Sequence, residues 1–163
     1  MADHCIATRR WIGDVHVFDS RCFTDRPRGV NHVGTDLAVL QGVVRHPRFS
    51  AWWRAKATHV ANALFTHLAA TEPTGAGPTF AFFCRKGRHR SVAMATLLTE
   101  LLLARGWVVE VCHFHQDFWE FGTCNQCAAC RDLRTPDKRA LFSEVVGMLQ
   151  AHQLPPDVTV AEI

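Results

Sequence analysis

The chain of 163 residues has no long apolar run, although hydrophobic residues make up 48% of it. A membrane-spanning helix needs about 18 or more apolar residues in succession, so we expect no membrane partner. The first residues are Met-Ala-Asp-His-Cys, and they lack the apolar segment of a secretion signal. We therefore expect an intracellular, cytoplasmic protein. Its length predicts one domain over residues 1–163, with a core at about 14–153 and a frayed tail at 154–163.

Acidic residues are nearly absent from the middle of the chain. Between Leu37 and Thr99 the single acid is Glu72. The same stretch contains eight basic residues: Arg45, Arg48, Arg54, Lys56, Arg85, Lys86, Arg88 and Arg90. Their sum is a charge of about +7, which favours an anionic partner, either a phosphorylated small molecule or RNA.

Half of that positive charge lies in one segment, Cys84–Ser91, here called the basic loop. It follows the apolar run Thr79–Phe83 and precedes a helical pattern that begins at about Ser91. A turn between strand and helix leaves backbone N–H groups unsatisfied where the helix dipole favours an anion. A merely solvated loop is the alternative, but it does not explain why a strand ends and a helix begins at its two ends. The candidate ligand-binding residues are Cys84, Arg85, Lys86, Gly87, Arg88, His89, Arg90 and Ser91, with Arg90 as the clamp on phosphate.

The apolar patterns predict an α/β fold, a small and mainly parallel sheet with helices packed on it. The predicted strands are Val15–Phe18, Thr79–Phe83 and Trp107–Val111. The predicted helices cover Asp36–Val44, the segment from an N-cap at Ser50 to about Ala70, the segment from about Ser91 to a C′ residue at Gly106, and the segment after Thr135-Pro136.

Loops that follow parallel strands leave the same edge of the sheet, where ligands bind. Arg21 and Asp25, which follow the first strand, are therefore further candidate ligand contacts. An Arg–Asp pair that only fixes the loop is the alternative interpretation.

Seven cysteines form an odd set, which we expect to be reduced. Three of them, Cys124, Cys127 and Cys130, have C-x2-C-x2-C spacing within a Cys-rich insertion at 112–132. A fourth ligand from Cys112, His113 or His115 would complete a tetrahedral zinc site, and we assign it to His115. An iron–sulfur cluster and unligated cysteines are the alternatives. A bound metal would be structural, because the segment has little periodicity of its own.

Three motifs resemble the C-terminal domain of the RapZ family of RNase adapter proteins. They are Cys-x-x-Gly-x-His-Arg-Ser-Val from Cys84, Phe-Asp-x-Arg from Phe18 and Gly-x-Asp from Gly34. The resemblance covers most of Asp14–His113. It implies binding of an amino-sugar phosphate and of structured RNA, usually in a homo-oligomer. The family's loop residues correspond to Arg85, Lys86, Gly87 and Arg90.

Two features differ from that family. Arg85-Lys86 stands where the family has Thr-Gly, which adds two charges and removes a small hydroxyl. The chain also has no G-x-x-x-x-G-K-[ST] motif, so we expect no nucleotide cofactor and no ATPase activity.

A second interpretation is enzymatic, because Cys84-x5-Arg90-Ser91 fits the signature of cysteine phosphatases. In that chemistry the loop lowers the thiol pKa, Cys84 attacks phosphorus and an Asp protonates the leaving oxygen. Phe83 stands where such enzymes commonly carry His. The acid would have to be one of Asp25, Asp36, Asp117 and Asp132. We rank non-catalytic phosphate binding first and the phosphatase, with Cys84 and Arg90 as catalytic residues, second.

Overall fold

The computed structural model describes residues 14–23, 32–70, 77–113, 119, 124 and 127–148. Within these residues the chain forms an α/β fold with two strands and five helices. In chain order they are β1 (Val15–Asp19), α1 (Leu37–Val44), α2 (Phe49–Ala69), β2 (Thr79–Phe83), α3 (Arg90–Leu103), α4 (Ala128–Arg131) and α5 (Pro136–Gly147).

The two strands pair in parallel, with Val15 opposite Thr79 and Asp19 opposite Phe83. Both are rich in β-branched and aromatic residues, which fit a pleated, half-buried surface. The Ser20 N–H continues the pairing by donating to the Phe83 carbonyl at 2.9 Å. Because the strands run in the same direction, the chain leaves both of them at one edge, as predicted.

The prediction of a third strand at Trp107–Val111 is wrong, since residues 107–113 form no strand. Trp107 and Val109 do pack against the main core, whereas Val108 is completely exposed. The alternation that predicted a strand is therefore real. The alternation shows only which side chains face the core. A strand also needs a neighbouring strand with which its backbone can form hydrogen bonds.

The predicted helix ends at α1, α3 and α5 are confirmed. The Asp36 side chain accepts from the Ala38 N–H at the start of α1, and Thr135 accepts from the Lys138 N–H at the start of α5. Gly106 follows α3 with a φ of 87°, in the left-handed region that favours glycine.

Helix α2 begins one residue before the predicted cap. Its N-cap is Arg48, and the Ser50 hydroxyl instead accepts from the Arg54 guanidinium at 3.1 Å. The apolar pattern of this segment predicts a buried face of Trp53, Val60, Leu64 and Leu68; the first three are buried, but Leu68 is exposed. None of the described helices is both long and apolar enough to cross a membrane.

Buried side chains form two separate clusters. The main core lies between α1, α2, α3, α5 and the inner face of the sheet. A smaller cluster joins Val33, Val92, Trp119 and Cys130, with two further cysteines packed against it. The start of α3 therefore lies between the main core and the cysteine-rich region.

Candidate functional site

The basic loop connects β2 to α3 at the edge where both strands end. Gly87 has a φ of 62°, which a residue with a Cβ adopts only with strain. His89 is the N-cap of α3, and its side chain makes no capping hydrogen bond. The His89 side chain therefore does not cap the first N–H groups of α3.

Several donors of the loop converge on the Cys84 sulfur. The Ser91 hydroxyl lies 3.3 Å from Sγ, and the backbone N–H groups of Ser91, Lys86 and His89 also hydrogen-bond to it. Burial alone raises the pKa of Cys84, but these hydrogen bonds outweigh burial and hold the pKa below that of an ordinary thiol. The loop therefore favours negative charge at this point.

Arg90 connects the basic loop to the loop that follows β1. Its side chain is 8% exposed, and Nη1 donates to the Phe23 carbonyl at 2.7 Å and to the Arg21 carbonyl at 3.2 Å. It thereby fixes the two loops to each other. A direct contact between Arg90 and a ligand stays a prediction.

Arg21 pairs with Asp19 at the end of β1. Its Nη2 lies 2.8 Å from Asp19 Oδ2, and its guanidinium lies 5.0 Å above the centre of the Phe83 ring. Hydrogen bonds from the Arg21 side chain, followed by its backbone N–H, hold the pKa of Asp19 below its usual value. The predicted partner, Asp25, lies outside the described residues. The remaining charged side chains of the loop reach solvent, since Arg85 and Lys86 are exposed and Arg88 is half-buried.

The three cysteines of the C-x2-C-x2-C motif come together, and a histidine joins them. His32, Cys124, Cys127 and Cys130, here called the metal centre, have their ligand atoms within 4.8 Å of one another. His32 Nδ1 lies 3.4 Å from Cys127 Sγ and 3.3 Å from Cys130 Sγ. Four donors so arranged could hold one metal ion.

Sequence reasoning missed His32, which lies 95 residues before Cys127 and carries no spacing signal. His115, the predicted fourth ligand, lies outside the described residues. His113 packs its ring against Trp119 at 5.2 Å, and neither it nor Cys112 belongs to the metal centre.

Backbone contacts hold the metal centre in place. His32 and Cys124 form an isolated parallel bridge, in which the Val33 N–H donates to the Cys124 carbonyl at 3.2 Å. Burial, together with the neighbouring thiols of Cys127 and Cys124, raises the pKa of Cys130 to about 12. The Cys130 thiol therefore resists ionisation unless a cation joins it.

Lys138 of α5 secures the helix that carries Cys130. Its ammonium group donates to the Ala129 carbonyl at 2.6 Å and to the Asp132 carbonyl at 2.9 Å. The side chain is 1% exposed, and burial lowers its pKa while nearby acidic groups oppose that shift. A buried charge thus takes the place of a side-chain cap at the C-terminal end of α4.

Comparison with known proteins identifies one family. The family model of the RapZ C-terminal domain matches residues 13–117, well over half of the chain. The matched range includes both strands, the basic loop, α3 and His32, but it ends before the three cysteines of the metal centre. No curated protein and no solved structure matches the chain.

Proposed function

Because this chain belongs to the RapZ C-terminal domain family, we propose that its basic loop binds the phosphate group of a sugar phosphate or of RNA without turning it over. The observation that carries the proposal is the convergence of the Lys86, His89 and Ser91 N–H groups on the Cys84 sulfur, where the loop favours negative charge. Convergent amides at a helix N-terminus are a general phosphate site in proteins.

The side chains divide into two roles in this proposal. The amides and the helix dipole hold the phosphate oxygens, while the exposed Arg85 and Lys86 raise the affinity by adding charge. Arg90 maintains the pocket by tying the basic loop to the carbonyls of Arg21 and Phe23. A contact of Arg21 or Asp25 with the sugar or base portion is part of the same proposal.

The double substitution Arg85→Gln with Lys86→Gln tests the charge contribution. We expect the Kd for a hexose 6-phosphate, measured by calorimetry, to rise roughly 3- to 10-fold, because two charged donors are lost from the site. Arg54→Gln with Arg139→Gln removes the same charge from exposed positions on α2 and α5 and serves as the control. Equal effects of the two pairs would assign binding to overall charge and overturn the loop assignment.

Salt dependence distinguishes the two ligand classes. RNA held through many phosphate contacts loses affinity steeply between 50 and 200 mM salt, roughly a thousandfold for six or more contacts. A single phosphate group enclosed by amides changes much less. Paired titrations with a sugar phosphate and a short structured RNA therefore show which ligand the loop binds specifically.

A second candidate function, a cysteine phosphatase, is favoured by the lowered pKa of Cys84 and its contact with Ser91. The Cys84 thiolate would attack phosphorus, the ester P–O bond would break, and water would then cleave the S–P bond. The described acids supply no clear proton donor. Asp36 caps α1, and the Arg21 pair keeps Asp19 ionised. Asp132 is exposed beside the metal centre, and Asp25 and Asp117 lie outside the described residues.

Turnover of an aryl phosphate decides between the two functions. We expect no release of the phenol above background from the unmodified protein. Release that disappears in Cys84→Ser would establish the phosphatase instead.

We also propose that the metal centre binds one zinc ion in a structural site. Tetrahedral zinc with Zn–S of about 2.3 Å and Zn–N of about 2.0 Å requires N···S separations of about 3.5 Å. The 3.4 and 3.3 Å separations of His32 from Cys127 and Cys130 fit this geometry. A cluster of several irons holds its ligands on different metal atoms and therefore further apart, so the close grouping favours a single ion.

Elemental analysis tests the assignment. We expect one zinc per chain, its loss in Cys127→Ser and its retention in Cys112→Ser, which removes a free thiol outside the metal centre. His32→Ala and His115→Ala, compared in the same way, identify the histidine ligand. Iron in place of zinc, or full metal content in Cys127→Ser, would contradict the proposal.

A further inference from the structure

Two residues along the chain from the metal ligand His32, the backbone touches the basic loop. The Gly34 N–H donates to the Arg88 carbonyl at 2.9 Å. A Cβ at position 34 would lie 2.2 Å from the His89 carbonyl oxygen and 2.4 Å from the Ala93 nitrogen, so no side chain fits there. Gly34 is therefore packed directly against the loop and the first turn of α3.

The next residue toward the metal centre makes contacts in both directions. Val33 donates its N–H to the Cys124 carbonyl, and its side chain shares the small buried cluster with Val92 of α3 and with Cys130. A shift of the cysteines would therefore move Val33, and Val33 cannot move without displacing the start of α3.

Among the residues that the structure describes, the small cluster has four buried members and the main core has 21, so the apolar contacts of the small cluster contribute much less. In structural zinc sites the free energy of metal binding is free energy of folding, because the ligands are not preassembled in the unfolded chain. A metal ion would therefore supply most of the free energy that fixes residues 32–34.

We propose that metal occupancy of the centre formed by His32, Cys124, Cys127 and Cys130 controls the phosphate affinity of the basic loop, through the contact of Gly34 with Arg88 and His89. This inference rests on the proposed phosphate binding. Linkage makes the coupling reciprocal, so bound phosphate also holds the metal more tightly. Coupling between two sites in one domain is typically fivefold or more.

His32→Ala, which removes a metal ligand and leaves the basic loop intact, is the first test. We expect the Kd for inorganic phosphate to rise about fivefold or more. We also expect the pH midpoint for alkylation of Cys84 to move up, toward that of an ordinary thiol, because the donors around the sulfur lose their positions. Cys84 is the single cysteine of the tryptic peptide 57–85, so mass spectrometry measures it alone. His67→Ala, a histidine substitution on α2 outside the metal centre, is the control.

The second test uses the unmodified protein and covers the case in which His32→Ala does not fold. Transfer of the metal to a chromogenic chelator is timed with and without inorganic phosphate. We expect phosphate to slow the transfer about fivefold or more, and chloride at equal ionic strength to have no such effect.

The outcomes separate the coupling from the proposed function. If phosphate does not stabilise the unmodified protein, the proposed phosphate binding is wrong. The alkylation midpoint of Cys84 alone then shows whether metal loss changes the basic loop. A midpoint and a phosphate Kd that stay unchanged after metal loss would overturn the inference even though phosphate binds. A transfer rate that phosphate leaves unchanged, at concentrations that saturate binding, would overturn it as well.

Discussion

Ser91 is the residue through which the charge on Cys84 can be altered with the least disturbance. Burial opposes ionisation of the thiol, and the Ser91 hydroxyl at 3.3 Å is the foremost of the contacts that overcome it. Ser91→Ala removes that hydrogen bond and leaves the backbone N–H in place. We expect the pKa of Cys84 to rise, so that alkylation at neutral pH slows and its midpoint moves to higher pH.

The measurement is the pH profile of alkylation, read on the peptide that contains Cys84. Ser91→Thr keeps the hydroxyl and should keep the low midpoint. A midpoint that is the same in Ser91→Ala and in the unmodified protein would mean that the amides alone stabilise the thiolate.

At the scale of single residues, the sequence predicted which residue types form the site better than it predicted which side chains contact each other. Gly87 was predicted as a loop residue of the ligand site, and its φ of 62° gives a further reason for glycine at this position. Arg21 was predicted as a ligand contact or, alternatively, as the partner of Asp25; it pairs with Asp19 at the end of β1, and Asp25 lies outside the described residues. Spacing reveals which residue types a loop offers, whereas side-chain partners depend on where the neighbouring strand ends.

Among the elements, α4 depends most on a single distant side chain. It has four residues, and the Lys138 ammonium binds the carbonyls of Ala129 and Asp132 at its end. Lys138→Met keeps the apolar stem but leaves two partly buried carbonyl acceptors without the ammonium donor. We expect the free energy of unfolding to fall by about 1–3 kcal/mol.

Urea denaturation measures this change, with Lys56→Met as the matched substitution at a partly exposed lysine on α2. If Lys138→Met lowers the free energy of unfolding no more than Lys56→Met does, burial of the Lys138 charge costs as much as its hydrogen bonds contribute.

Helix ends were predictable because caps are local, as at Asp36 and Thr135. The absence of a third strand at Trp107–Val111 was not predictable. A strand needs a neighbouring strand to pair with, and a local sequence pattern does not show whether one is present. The two-residue error at the α2 cap has a different, local origin, since the Ser50 hydroxyl bonds to Arg54 one turn later instead of capping the helix.

At the scale of the whole molecule, the described residues form two buried clusters of unequal size, and this predicts a stepwise response to metal removal. A strong chelator should open the small cluster first, because the large one contains no metal ligand. We expect trypsin to cleave faster after Arg131 and Arg134, beside the metal centre. The helical circular dichroism signal, which comes mainly from α2, α3 and α5, should change little.

Cleavage after Arg54, on an exposed turn of α2, provides the internal control and should keep its rate. Simultaneous loss of the entire helical signal on chelation would mean that the two clusters unfold as one unit.

The family and the α/β class were predictable from ordered motifs, whereas the full metal centre was not. The C-x2-C-x2-C spacing predicted three candidate metal ligands close together in the chain. His32 reaches them through a backbone bridge to Cys124 from the opposite end of the domain's sequence, and only the folded topology brings the two segments together.

The position of Lys138 has a consequence for covalent labelling. The chain has three lysines, of which Lys86 is exposed, Lys56 is partly exposed and Lys138 is sealed against two carbonyls. Acylating reagents need a free amine with an available lone pair, so they should modify the first two and spare the third. An acyl group found on Lys138 would therefore mean that the reagent reached this amine before the turn between α4 and α5 had formed.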